Sequence, residues 1–338
     1  MKQLVRIGLC LALGLVVSVP TFAQGGENAA WQAIEDQRDA HRKAEAIETF
    51  IKNYSSSPHR PDADYALVNF YLENKDYQKL MQHADSFRLT LPTADNASKT
   101  RIYSQAMVAA ATIGNASKLV EFAGYALQAD SNNLTVLALL AGSNLPDPVK
   151  ALEHAQKALT VPRPATMTQE QYDRTMARMH GIVAVPLFSQ QKFAEAQEHL
   201  AIALKANPKD QEKQYQYGFA SINLATKSAQ EAQDANLAML KAANEKNQAA
   251  QDAAKAKMDS ASQAALKHRD DAIEAFARVV ALAPATPAAT PAAAPGAPAP
   301  PTAASQAKAL LDSLYKSKEG KLDGVDQLVA DKKKELGL

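Results

Sequence analysis

Cysteine is almost absent from this chain. The single residue, Cys10, lies in an N-terminal apolar run, so nothing beyond Ala23 can form a disulfide, a thiolate nucleophile or a thiolate metal ligand. Glycine is scarce, with 13 in 338 residues, and aromatics make up 6%. Long alternations of Val, Ile or Thr with polar residues are missing, so no segment reads as a convincing strand. Net charge of either sign is missing as well. Setting aside Lys2 and Arg6 leaves 35 basic against 36 acidic residues, which argues against a nucleic-acid partner.

The usual signatures of catalysis are also lacking. None of the seven histidines stands in a His-Glu-x-x-His pattern. There is no glycine-rich phosphate loop and no Gly-x-Ser-x-Gly elbow. No cofactor, metal or catalytic set is therefore expected, and the chain reads as a non-enzyme.

What is present favours helix. Alanine is plentiful, 46% of residues are hydrophobic, and the length is enough to bury a core. Residues 1–23 read as a cleavable export signal: Lys2 and Arg6 open it, an apolar run follows, and Thr21-Phe22-Ala23 supplies a small-x-small cleavage site. The run is short for a membrane span. Leu9 precedes Cys10 and the run continues past it, which excludes a lipoprotein signal. The expected location is periplasmic or secreted, in a bacterial envelope. Residues 24–28 are expected to be a short mobile lead.

The stretch 192–208 organises the rest. Ala196, Leu200 and Ala203 share one helical face, two of them small enough for a second helix to come close, and Pro208 opens a turn. The phrase returns at Ala272, Phe276, Val279 and Pro284, and at Ala46, Phe50, Asn53 and Pro58. From Pro58 to Pro92 is 34 residues. Between them lie Leu67, Val68 and Tyr71, then Tyr77, Leu80, Ala84 and Phe87. This pattern resembles the tetratricopeptide repeat (TPR) family, a helix-turn-helix unit of roughly 34 residues. The resemblance implies an all-α fold: an α-solenoid of stacked antiparallel helix pairs, wound as a right-handed superhelix.

The resemblance covers residues 24–284, less an insertion. From Gly218 to Ala272 is 54 residues where a repeat needs 12, so about 42 residues, 226–267, are added. They are rich in Ala, Gln, Lys, Asp and Asn and hold few large apolar residues. Both flanking helices are expected to lengthen into a protruding antiparallel arm. Residues 285–304 are an Ala/Pro-rich, extended linker. Residues 305–338 then form a small helical hairpin that either caps the array or docks elsewhere, with Leu310, Leu311 and Leu314 on one apolar face and Leu322, Val325, Leu328 and Val329 on the other.

The resemblance also implies a concave surface lined by the first helix of each pair. The residues that fall there and suit contact with a bound segment are Tyr65, Asn69, Arg101, Arg178 and Tyr215. Asn69 matches one position of the family's two-carboxylate clamp, but the clamp's lysine is replaced by Tyr65, so the clamp is not supported. The expected function is an interaction scaffold that takes a peptide or helix of a protein partner. The alternative is a structural envelope protein that self-associates through the arm.

Overall fold

The computed structural model describes residues 22–143, 147–284 and 302–338. The export signal therefore lies outside the described residues up to position 21, as does the linker up to position 301. The described residues form fourteen α-helices and no strand. Contacts divide them between Ser131 and Asn132 into two compact units.

The first unit holds α1 (Phe22–Asp36), α2 (Ala40–Asn53), α3 (Arg60–Glu73), α4 (Tyr77–Thr90), α5 (Asn96–Thr112) and α6 (Ala116–Ala129). The second holds α7 (Leu134–Gly142), α8 (Pro148–Leu159), α9 (Gln169–Ser189), α10 (Phe193–Ala206), α11 (Gln211–Asn244), α12 (Gln248–Ala281), α13 (Ala303–Glu319) and α14 (Val325–Glu335). Consecutive helices pair, and the first helix of one pair also touches the first of the next: α3 on α5, α7 on α9, and α9 on α11. That pattern of contacts is TPR-like.

One local device builds four of the pairs. In the turns after α3, α5, α9 and α11 a single residue takes a left-handed backbone: Lys75, Gly114, Gln191 and Lys246, with φ between 53° and 71°. The next residue closes the old helix. The N–H of Asp76, Asn115, Lys192 and Asn247 donates to the carbonyl five residues back, at 2.8–2.9 Å. Three of those same residues then start the new helix. Asp76, Asn115 and Asn247 accept a backbone N–H three residues on, whereas Lys192 has no acceptor to offer. Ending one helix and capping the next with one residue leaves no slack, so the second helix folds back on the first.

The expected core faces are mostly seen. Leu67, Val68, Tyr71, Leu80, Ala84 and Phe87 are buried, as are Tyr103, Ala106, Met107, Leu119, Ala123 and Ala126. Ala196, Leu200 and Ala203 are buried, and so are Ala272, Phe276 and Val279. Asp147 caps α8 with Pro148 in its first turn. Thr168 and Gln171 make a reciprocal capping box on α9.

Three details differ from expectation. Residues 24–28 belong to α1 and are not a loose lead. In α2 the buried set is Ala44, Ile47 and Phe50, while Ala46 is only half-buried and Asn53 is exposed. The bulky Ile47 and Phe50 set the inward face there, and the small Ala46 follows them. Helix α13 begins at Ala303, capped by Thr302, so the end of the expected linker is helical. Of the two expected placements for the C-terminal helices, the array is the one seen: α13 and α14 rest on α12 more than on each other. Ala307, Leu311 and Val325 are buried against Ala272, Ile273, Phe276 and Val279. Two short amphipathic helices have little to bury in a hairpin of their own, and the apolar base of α12 supplies the missing surface.

The insertion forms the arm. α11 and α12 are 34 residues each and pair along their length around the turn at Glu245-Lys246-Asn247. Alanines 235, 242 and 261 are buried in the seam. Leu237, Leu240 and Leu266 stay exposed.

Candidate interaction surfaces

Each unit carries its own inner face. In the first, α3 and α5 bring Tyr65 and Arg101 together. The Arg101 guanidinium lies 4.4 Å from the Tyr65 ring centre and 3.1 Å from an Asp62 carboxylate oxygen. Asn69 is one turn along α3 from Tyr65 and half-buried. The ring holds the arginine flat, and the exposed ion pair adds little to stability. The result is a polar aromatic patch.

In the second unit, α9 and α11 form a face with two chemically different ends. At one end a cavity of about 320 Å³ is lined by Arg174, Arg178 and Lys213, with Asp210 and Asn207 at its edge. Arg174 pairs with Glu170, and Lys213 pairs with Asp210. Arg178 makes no ion pair among the described residues, so the end keeps an uncommitted positive charge. Glycines make room for these long side chains. A Cβ on Gly142 of α7 would stand 1.4 Å from an Arg178 nitrogen, and one on Gly181 would stand 2.6 Å from the Lys213 side chain.

At the other end lie aromatic rings. Phe188 sits 5.8 Å from both Phe193 and Phe219, and Phe219 sits 6.2 Å from Phe193, all edge-on. Phe219 remains 37% exposed, which leaves apolar surface open to a partner. Arg178 and Phe188 are ten residues apart on α9, about 15 Å along its axis.

Tyr215 stands next to this cluster but serves a different neighbour. Its hydroxyl donates to Gln306 of α13 at 3.1 Å, and its ring meets Phe276 edge-on at 5.8 Å. The C-terminal helices thus already occupy the position assigned to a partner there. Val136 and Leu140 of α7 are buried packing residues, whereas Val185 of α9 is exposed. Arg174, Lys213 and Phe193 were not foreseen. Arg174 was legible as the residue four before Arg178, on the same helical face. Lys213 and Phe193 come from neighbouring helices, where one helix's spacing gives no signal.

Among the described residues no group of three or more His, Asp or Glu is placed to hold a metal ion. No described helix is long and apolar enough to cross a membrane. One histidine pair does form: the Nδ1 atoms of His180 and His199 lie 2.8 Å apart across α9 and α10. That is hydrogen-bond distance, with one ring nitrogen donating to the other.

Burial, and for His180 the neighbouring His199 as well, holds the pKa of His154, His180 and His268 below the ordinary 6.5. In the unfolded chain these imidazoles take up protons near their ordinary value, so the unfolded state binds more protons below about pH 6.5. Stability therefore falls as pH drops through that range, until the lowered folded pKa values are passed. The melting temperature is expected to be lower at pH 5 than at pH 7.5. Changing all three histidines to glutamine should flatten the difference. An unchanged pH slope in that variant would exclude them as its source.

These helix pairs define the class: an all-α protein with a TPR-like fold. No protein-family model and no curated protein sequence matches the chain. One solved structure it is similar to is the C-terminal part of a TPR repeat-containing protein from Cytophaga hutchinsonii. The two share 13% identity over 90% of this chain and 98% of that one, with a TM-score of 0.37. The helix-pair architecture stands on the packing described above.

Proposed function

We propose that this chain is a non-enzymatic, exported interaction scaffold whose inner faces bind a peptide or helix of a partner protein in the bacterial envelope. The supporting observation is the α9–α11 face, with uncommitted Arg178 at one end and the Phe188, Phe193 and Phe219 cluster at the other. Its ligand carries a carboxylate and, about 15 Å away, an apolar side chain. That spacing is four or five residues of extended chain, or ten of helix. The Tyr65, Asn69 and Arg101 patch is a second contact region on the first unit. Neither region offers an activated nucleophile or a general base beside a reacting position.

A photo-crosslinking residue at Tyr65 or Phe219 should capture a partner protein in cells. The same residue at Val120, exposed on α6, should not. Adducts at Val120 alone would reject the inner faces. With the partner in hand, Arg178→Glu should weaken binding roughly 10- to 100-fold, the range of a lost charge-assisted hydrogen bond. Gly142→Ala should act in the same direction by displacing the Arg178 side chain.

The exposed Leu237, Leu240 and Leu266 favour a second reading, self-association through the arm. Deleting residues 226–267 separates the two by sedimentation. A scaffold monomer keeps its association state, whereas an oligomer held by the arm dissociates.

A further inference from the structure

Away from both inner faces, the first unit contains a cavity of about 350 Å³ where α4, α5 and α6 meet. Arg88 of α4, Asn96, Lys99 and Tyr103 of α5, and Tyr125 and Gln128 of α6 line it. The volume is at the small end of the range for small-molecule pockets. Neither of its two cations makes an ion pair among the described residues. The Arg88 guanidinium rests over the Tyr125 ring at 5.3 Å, and its Nε is buried with no hydrogen-bond partner. That nitrogen is sealed from the cavity, so the terminal guanidinium nitrogens of Arg88 are the donors it offers there.

The nearby carboxylates are otherwise engaged. Glu121 pairs with Lys118 at 2.9 Å and accepts the Tyr125 hydroxyl at 3.2 Å. Asp85 also pairs with Lys118, at 2.9 Å. Two tyrosine rings with centres 5.4 Å apart, Tyr103 and Tyr125, wall the space. The site therefore combines a forked donor, a second positive charge and flat apolar surface.

We propose that this cavity binds a small-molecule monocarboxylate with an aromatic body, its carboxylate held by Arg88 and Lys99 and its ring packed against Tyr103 and Tyr125. A guanidinium edge matches a carboxylate in a bidentate way. A doubly charged phosphate fits less well. A second negative charge on the ligand would find no third cation among the residues that line the cavity.

The test is calorimetric titration of the full chain with benzoate, benzyl alcohol and inorganic phosphate. Benzoate should bind saturably, and at least tenfold more tightly than either of the others. Arg88→Met keeps the apolar stem over Tyr125 and should weaken benzoate at least tenfold. Lys99→Met, at a half-exposed position whose side chain has no partner to lose, should weaken it severalfold with an unchanged melting temperature. Benzoate that binds no better than benzyl alcohol would overturn the proposal. So would phosphate equal to benzoate, or affinity indifferent to both substitutions.

Discussion

Replacing Arg60 with alanine is expected to destabilise the first unit by about 3–5 kcal/mol, because it strands a charge in the interior. Asp64 is fully buried and Arg60 is 3% exposed. The Arg60 Nε donates to Asp64 at 2.7 Å, and a terminal nitrogen donates to the Thr90 hydroxyl at 3.1 Å. One guanidinium thus ties the start of α3 to the end of α4. His83 does not replace it: its Nε2 lies 2.9 Å from the other Asp64 oxygen, but off the line of a hydrogen bond. In the variant the Asp64 carboxylate stays buried without its guanidinium partner, and that loss carries the penalty. The melting temperature should fall by on the order of 10 °C. Arg60→Met combined with Asp64→Leu should recover most of the loss, since removing both charges leaves nothing stranded. A single variant that melts within 2 °C of the parent would mean that Asp64 is solvated after all.

Phe276→Ala should have an effect of similar size, about 3–5 kcal/mol, in the second unit. Phe276 is completely buried at the base of α12, in the cluster that includes Leu311 of α13 and Val325 of α14. Removing the ring empties the contact that holds both C-terminal helices. Three ion pairs also span this contact: Lys318 to Asp270 at 3.3 Å, Lys332 to Glu274 at 2.5 Å, and Arg278 to Glu335 at 2.9 Å. Each involves at least one well-exposed carboxylate and is worth at most about 1 kcal/mol. They steer the docking, and the apolar cluster holds it. Hydrogen exchange should therefore show α13 and α14 losing protection in Phe276→Ala, and keeping it in the parent at 0.5 M salt. Loss of protection in salt alone would reverse that ranking.

Helix pairs were legible because alanines and aromatics recur at helical spacing, as at Ala196, Leu200 and Ala203, and a step of three or four has only one geometric reading. The arm was legible because residues 226–267 combine strong helix formers with an excess over one repeat. Ala46 misled, because a small residue fits the edge of a helical face as readily as its centre. Tyr65 and Arg101 do meet, whereas Tyr215 is taken by α13, a contact that spans 91 residues of chain.

By itself, the sequence determined the helices, their pairing and their caps, because those depend on residues within one or two turns of each other. Only the tertiary structure decided which charges are free and which surfaces are covered. It stacked Arg178 over Gly142, set Arg88 over Tyr125, buried Asp64 beneath Arg60 and laid α13 across Tyr215. The physical reason is that a charge's partner and a ring's cover are chosen in space, by helices whose approach no local spacing encodes.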